Sequence, residues 1–194
     1  KYSAASAQIN STPESTIMLP NSFISGVYQV ALVVHDVEET MKSYTNQFGI
    51  GPWRVALIEP PRLADMRVRG EPVEYSFKYA VAWTGDTMWE IIEPIDGPSI
   101  YKEFLNDHGE GIHHILVQHE GLDFDNALEQ FGKRGCPPAM EGRIGDIRFA
   151  YLESEGPLKT TLEIVDRPPG AAPVTPDYWY PAEQTDSGSL RQTT

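Results

Sequence analysis

The sequence is short of several things, and each shortage excludes something. It has one cysteine, Cys136, among 194 residues. No intramolecular disulfide can form, so a packed core must hold the fold. Apolar runs are six residues or fewer, as in Val30-Ala31-Leu32-Val33-Val34. A bilayer needs roughly 20. Positive charge is scarce: Lys+Arg is 15 against Asp+Glu 28, a net charge of −13. Such a field repels phosphate backbones and anionic lipid, so neither nucleic acid nor membrane is an expected partner. A local basic pocket for a small anion stays compatible with it. No Gly-rich phosphate loop and no nucleophile elbow occur, which removes support for nucleotide binding and for Ser/His/Asp hydrolysis. From Lys1 onward there is no apolar stretch of about 7–15 residues that would mark a secretory signal. A cytoplasmic location is the expectation. The apolar content, 40%, is enough for a core, and the length suits one domain or two small modules.

Two arms flank a denser middle. Residues 1–22 are rich in Ser, Ala, Thr and Asn, and residues 168–194 open on Pro168-Pro169-Gly170. Both read as extended. Tyr178-Trp179-Tyr180 stands out in the second arm, because aromatics in a polar tail usually dock on the chain's own body or on a partner subunit. Between the arms, Val27–Val34 reads as a buried strand. Asp36 with Glu39 forms a capping box for a helix that carries Val37, Met41, Tyr44 and Phe48 and stops at Gly49. Strand-like segments follow at Trp53–Ile58, Val73–Trp83 and Thr87–Ile92. Residues 98–111 read as a linker helix. The order then repeats, with a strand at Ile112–Gln118, a helix at Asp123–Gly132 with Phe124, Leu128 and Phe131 on one face, and strands at Pro138–Arg143, Ile147–Leu152 and Thr160–Val165. The fold class is therefore α+β, with one βαβββ module at 23–97 and a second at 112–167.

Four polar residues interrupt strands that otherwise bury their side chains: Gln29, Glu90, His114 and Glu163. They fall at matched places in the repeat, Gln29 with His114 and Glu90 with Glu163. An unpartnered buried carboxylate costs several kcal/mol, roughly, and normally acquires a cation or a proton. A pseudo-two-fold axis relating the modules would bring all four to one point. One amide oxygen, one imidazole and two carboxylates suit a divalent transition metal with open positions.

The module pair, with Gln29, Glu90, the segment Gly109-Glu110-Gly111-Ile112-His113-His114-Ile115, and Glu163, resembles the vicinal oxygen chelate superfamily. Glyoxalase I, methylmalonyl-CoA epimerase, extradiol dioxygenases and bleomycin-resistance proteins belong to it. The resemblance spans about Val27 to Asp166. It implies a cupped mixed sheet and one divalent ion (Zn, Ni, Co, Mn, Mg or Fe) held by Gln29, Glu90, His114 and Glu163. This set is similar to that of one glyoxalase I class. It differs from the epimerase pattern, where the first ligand is usually His and the second Gln. It also differs from extradiol iron sites, which want two His and one carboxylate. Strand alternation points His113 away from His114, and His35, His108, His113 and His119 read as structural or surface residues.

A metal with open positions can bind two vicinal oxygens, polarise a carbonyl and stabilise an enediolate or enolate. The resemblance gives Glu163 the role of base, with Glu90 supporting the metal or acting on the opposite face. The expected function is a metal-dependent lyase or isomerase, glyoxalase I-like or epimerase-like, acting on a small molecule with a carbonyl or vicinal oxygens. Two alternatives stand beside it: an isomerase or cyclase that tailors a bulky hydrophobic or aromatic metabolite, and a non-catalytic binding module of the resistance type. Tyr75, Phe77, Tyr79 and Trp83 share one face of a strand by period two, as either core or substrate cup. Arg62, Arg67 and Arg69 gather before that strand, with Arg54 upstream, as candidates to hold an anionic substrate end. A homodimer is compatible with the fold.

Overall fold

β-branched and aromatic runs supply eleven strands among residues 23–182, the part of the chain that the computed structural model describes. The arm at 1–22 and the end of the second arm, 183–194, lie outside the described residues. The first half of the chain contributes β1 (Ile24–Val33), α1 (Val37–Phe48), β2 (Trp53–Ile58), β3 (Leu63–Val68), β4 (Glu71–Pro72), β5 (Ser76–Thr84) and β6 (Thr87–Asp96). A helix, α2 (Ile100–His108), leads into β7 (Gly111–His119), α3 (Phe124–Lys133), β8 (Pro138–Ile144), β9 (Ile147–Leu152), the short α4 (Glu155–Leu158) and β10 (Thr161–Asp166). β11 (Tyr178–Tyr180) closes the described chain.

All eleven strands join in one mixed sheet, ordered β11-β2-β5-β6-β1-β7-β10-β9-β8-β3-β4. The repeat is visible in that order. Outward from the centre, β1-β6-β5-β2 in the first module matches β7-β10-β9-β8 in the second. β1 and β7 pair antiparallel, while β1 with β6 and β7 with β10 are parallel. One face of each half carries its helix. Val37 and Met41 of α1 are fully buried against Leu32, Ala80 and Ile91. Phe124, Ala127 and Phe131 of α3 pack on Ala150, Leu152 and Ile164. The other face holds Val33, Phe77, Tyr79, Ile92, Phe149 and Tyr151, joined by Ile100 and Tyr101 of α2.

Local signals place the helices. Asp36 accepts a hydrogen bond from the Glu39 amide at 2.9 Å, and Gly49 adopts a left-handed conformation, φ 67°, at the other end. Asp123 caps α3 in the same way. Phe48, expected on the apolar face of α1, is instead 74% exposed in the helix's last turn.

The structure departs from the sequence reading between β2 and β5. Residues 63–68 form a strand rather than a loop, and the strand expected from Val73 begins only at Ser76. β3 crosses from the edge of the first module to pair with β8 at the edge of the second. Its alternation is broken by Asp65 in a left-handed conformation, φ 54°, where the register shifts between Ala64 and Arg67. Leu63, Met66 and Val68 therefore all contribute to the central core although they do not alternate.

The aromatic cluster of the second arm docks on the chain's own body. β11 pairs antiparallel with β2, Trp179 opposite Arg54. Asp177 fixes its start: one carboxylate oxygen accepts from the Leu57 amide at 2.7 Å and the other from Arg62 at 3.0 Å. The Tyr178 hydroxyl and Lys78 both donate to Glu38. Asp177→Ala removes the two bonds at a half-exposed site. The expected loss is about 1 kcal/mol, or roughly 2–4 °C of melting temperature for a chain of this size. Thermal unfolding, with limited proteolysis near residue 177, measures it; an unchanged melting point and proteolytic pattern would show that the aromatic residues alone hold β11.

Candidate metal centre

Two of the three irregularities in the central β1–β7 pair flank the polar side chains. The register shifts between Val27 and Gln29 and again between Ala31 and Leu32. The first shift drops Tyr28 from the ladder, and the second drops His113. Each is a β-bulge, which re-aims the side chains beside it. Between the bulges, Gln29 lies opposite Leu116 and Ala31 opposite His114. The parallel neighbours extend these rows: Ala31 aligns with Glu90 on β6, and Leu116 with Glu163 on β10. Gln29, Glu90, His114 and Glu163 thus meet on one face, at the join of the two modules, within a single chain.

Ligand atoms of Glu90, His114 and Glu163 all lie within 4.8 Å of one another. His114 is fully buried and Glu163 is 5% exposed. His114 Nε2 is 3.3 Å from Glu90 Oε2 and 3.5 Å from Glu163 Oε2. Gln29 Nε2 donates to Glu90 Oε2 at 2.6 Å and lies 3.3 Å from His114 Nε2. Glu163 Oε2 is buried with no hydrogen-bond partner. Its 3.5 Å approach to His114 is an ion-pair contact, too long for a well-made hydrogen bond. A buried carboxylate oxygen without a partner, facing an imidazole nitrogen and a second carboxylate, calls for a cation. The donor set therefore fits a divalent ion. Gln29 also fits, since its amide carries an oxygen on the same carbon as the nitrogen now facing Glu90.

The charges compensate one another through a proton. Burial alone would push the His114 imidazole down, but the Glu163 and Glu90 carboxyl groups beside it lift it to about 9. Burial pushes the Glu163 carboxyl up, against the pull of His114. These shifts favour a proton on His114, between the Glu90 and Glu163 side chains. Because the fold raises His114 above its ordinary 6.5, its contribution is complete below about pH 6.5 and is lost as the pH climbs through about 9. The span corresponds to about 3 kcal/mol. The melting temperature of metal-free protein is expected to fall across that window. A bound divalent ion takes the proton's place, so loading with metal should flatten the slope and release protons on binding. Melting curves at pH 6, 7.5 and 9, with and without added ion, decide it; parallel slopes in both forms would contradict this origin of the charge balance.

The other expected site residues are dispersed. Tyr75, Phe77 and Tyr79 are buried in the central core, while Trp83 sits at its rim, 37% exposed, under the guanidinium of Arg54 at 4.5 Å. The arginines do not converge. Arg69 makes a two-pronged pair with Glu103, 2.8 and 2.7 Å, and a further contact with Glu153. Arg62 is held by Leu57 and Asp177, and Arg67 donates to the Gly70 carbonyl. Neither Arg54 nor Arg67 has a carboxylate partner among the described residues.

Two neighbours of the centre escape a reading by alternation. His113 points to the same face as His114, contrary to expectation, because the bulge removes it from the ladder; their Nδ1 atoms are 2.9 Å apart. The signal is the pair of adjacent polar residues in an otherwise apolar strand. Tyr151 lies opposite Glu163 in the sheet, 4.8 Å ring to ring from His114, and its hydroxyl accepts from Tyr101 at 2.7 Å. It shares a face with Phe149 by period two, but nothing in the sequence singles it out. Among the other histidines, His35 is exposed and His108 pairs with Glu155 at 3.1 Å.

Residues 28–151 match the model of the glyoxalase/bleomycin resistance protein/dioxygenase superfamily. Among solved structures, the chain is similar to methylmalonyl-CoA epimerase from Mycobacterium tuberculosis, with 16% identity and a TM-score of 0.55, covering 80% of this chain and 98% of that one. It is also similar to a methylmalonyl-CoA epimerase in complex with methylmalonyl-CoA and NH4+, with 18% identity and a TM-score of 0.52, over 78% and 100% of the two chains. A hypothetical protein, BH1468 from Bacillus halodurans C-125, aligns at 16% identity and a TM-score of 0.51, over 76% and 98%. At these identities the likeness is one of fold. No curated protein matches the sequence. No helix among the described residues is long and apolar enough to cross a membrane.

Proposed function

This chain belongs to the glyoxalase/bleomycin resistance protein/dioxygenase superfamily, and we propose on that premise that it is a divalent-metal-dependent isomerase or lyase that moves a proton next to a carbonyl. The observation that carries the proposal is the buried, unpartnered Glu163 Oε2 beside Glu90, His114 and Gln29. The four residues would hold the ion, which would act as a Lewis acid toward the substrate carbonyl. The chain's own groups supply the rest. Glu163 has one oxygen free of hydrogen bonds, and a positioned carboxylate can serve as a general base. It is the residue assigned to take the proton at Oε2. Glu90 is tied to Gln29 at 2.6 Å, so its role is to hold the ion and balance charge. Tyr151 and the aromatic core around it exclude water from the base. Arg54 and Trp83 at the rim are the proposed contacts for an anionic or aromatic part of the substrate.

Proton exchange with solvent tests the proposal whatever the product turns out to be. The protein, reconstituted separately with Zn, Ni, Co, Mn and Mg, is incubated in deuterated water with 2-methyl acyl thioesters, hemithioacetals and polycyclic ketones. Deuterium at the carbon next to a carbonyl, dependent on the ion, is the expected result. No exchange in any combination, together with tight binding of one compound, would leave a non-catalytic binding module.

A further inference from the structure

The pair of adjacent histidines divides its labour. His114 turns Nε2 toward Gln29, Glu90 and Glu163, and Nδ1 the other way, 2.9 Å from Nδ1 of His113. His113 is 4% exposed. Its ring is gripped by α2, edge-on to Phe104 at 5.0 Å and to Tyr101 at 5.6 Å. The two imidazoles stand almost at right angles, 89°. The bulge that drops His113 from the ladder is what turns both rings to one side. On its outer side His113 lines a cavity of about 190 Å³ shared with Arg69, Glu103, His108 and Glu155.

We propose that His113 is a positioning residue for the metal centre: its Nδ1 accepts the Nδ1–H of His114 and so holds Nε2 of His114 toward the ion. The inference rests on the metal reading above. A nitrogen that ligates a metal must be unprotonated, so the remaining proton of His114 lies on Nδ1. Only an acceptor can then sit 2.9 Å away, which fixes His113 with its own proton on Nε2. The outer partners of metal-ligating histidines set ring orientation and basicity, and their loss typically weakens metal binding about 10–100-fold. Here that partner is supplied by the neighbouring residue of the same strand, through a bulge, and is clamped by the helix that joins the two modules. The metal centre is thereby coupled to α2.

Two substitutions separate positioning from packing. His113→Leu keeps bulk between Phe104 and Tyr101 but removes the acceptor. His113→Asn places an amide oxygen near the position of Nδ1. Metal dissociation constants, measured by competition with a chelator on full-length protein, are expected to weaken about 10–100-fold in the first variant and to recover most of that loss in the second. Melting temperatures of the metal-free forms report packing separately. Nitrogen-15 imidazole spectra of zinc-loaded wild type should show Nδ1 of His113 without a proton. Metal affinity of His113→Leu equal to wild type, or a proton on Nδ1 of His113, overturns the inference while leaving the metal reading intact. A wild type that binds none of the ions overturns the metal reading itself, and the inference with it.

Discussion

Glu163→Gln is expected to lower metal-dependent proton exchange by about a hundred- to ten-thousandfold, the usual contribution of a positioned general base. The amide has the volume of the carboxyl, so the core around Leu162, Ile164 and Tyr151 stays packed. It keeps an oxygen on the side chain, so a donor toward the ion survives, although without its negative charge. What disappears is the ability to take a proton. Turnover should therefore collapse while ligand binding, followed by calorimetry, is largely kept. Metal content measured on the same sample ties the loss to chemistry rather than to an empty site. Exchange that survives intact in Glu163→Gln refutes the assignment of the base.

The contrast between the four ligands and the arginines shows what a sequence can carry. Gln29, Glu90, His114 and Glu163 each interrupt an apolar strand, and a polar residue at such a place must have a reason that survives any choice of register. Matching places in two copies of one module supply the convergence, because a pseudo-two-fold superposes matched places. Arg62, Arg67 and Arg69 offer only nearness in sequence. In space they part, because residues 63–68 run as a strand to the far module, leaving Arg62 at Asp177 and Arg69 at Glu103 and Glu153. A strand whose alternation is interrupted at Asp65 carries no period-two signal.

Bulges account for the other difference. Period two assigns faces only while the register holds, and one extra residue reverses the assignment beyond it. Alternation gives the wrong face for His113 for that reason. Two bulges flank the centre, one on each central strand, and their effects on the pairing cancel. Gln29 and His114 lie between the bulges, where the register is unbroken, so alternation blind to both bulges still places them on one face.

His114→Ala is expected to have the largest effect on the molecule as a whole. It removes the imidazolium from between Glu90 and Glu163, whose oxygens lie 3.3 and 3.5 Å from Nε2. Taking one partner from a buried charge pair typically costs about 3–5 kcal/mol, because the other charge is left uncompensated. In a chain of this size that is roughly 6–20 °C of melting temperature. The loss should depend on pH in a defined direction. At pH 5 one carboxyl can take a proton and the cost is partly relieved; at pH 8 it is borne nearly in full. The fall in wild-type stability between about pH 6.5 and 9, which follows from the raised His114, should vanish in this variant because the titrating group is gone. Metal content should drop from near one ion per chain to near none, and Glu90→Ala should share that loss. Elemental analysis of protein purified without chelator, with melting curves at the two pH values, measures all three outcomes. A His114→Ala protein that keeps its metal and its wild-type pH slope would show that neither the ion nor the charge balance depends on this imidazole. The centre would then have to be sought elsewhere in the cup.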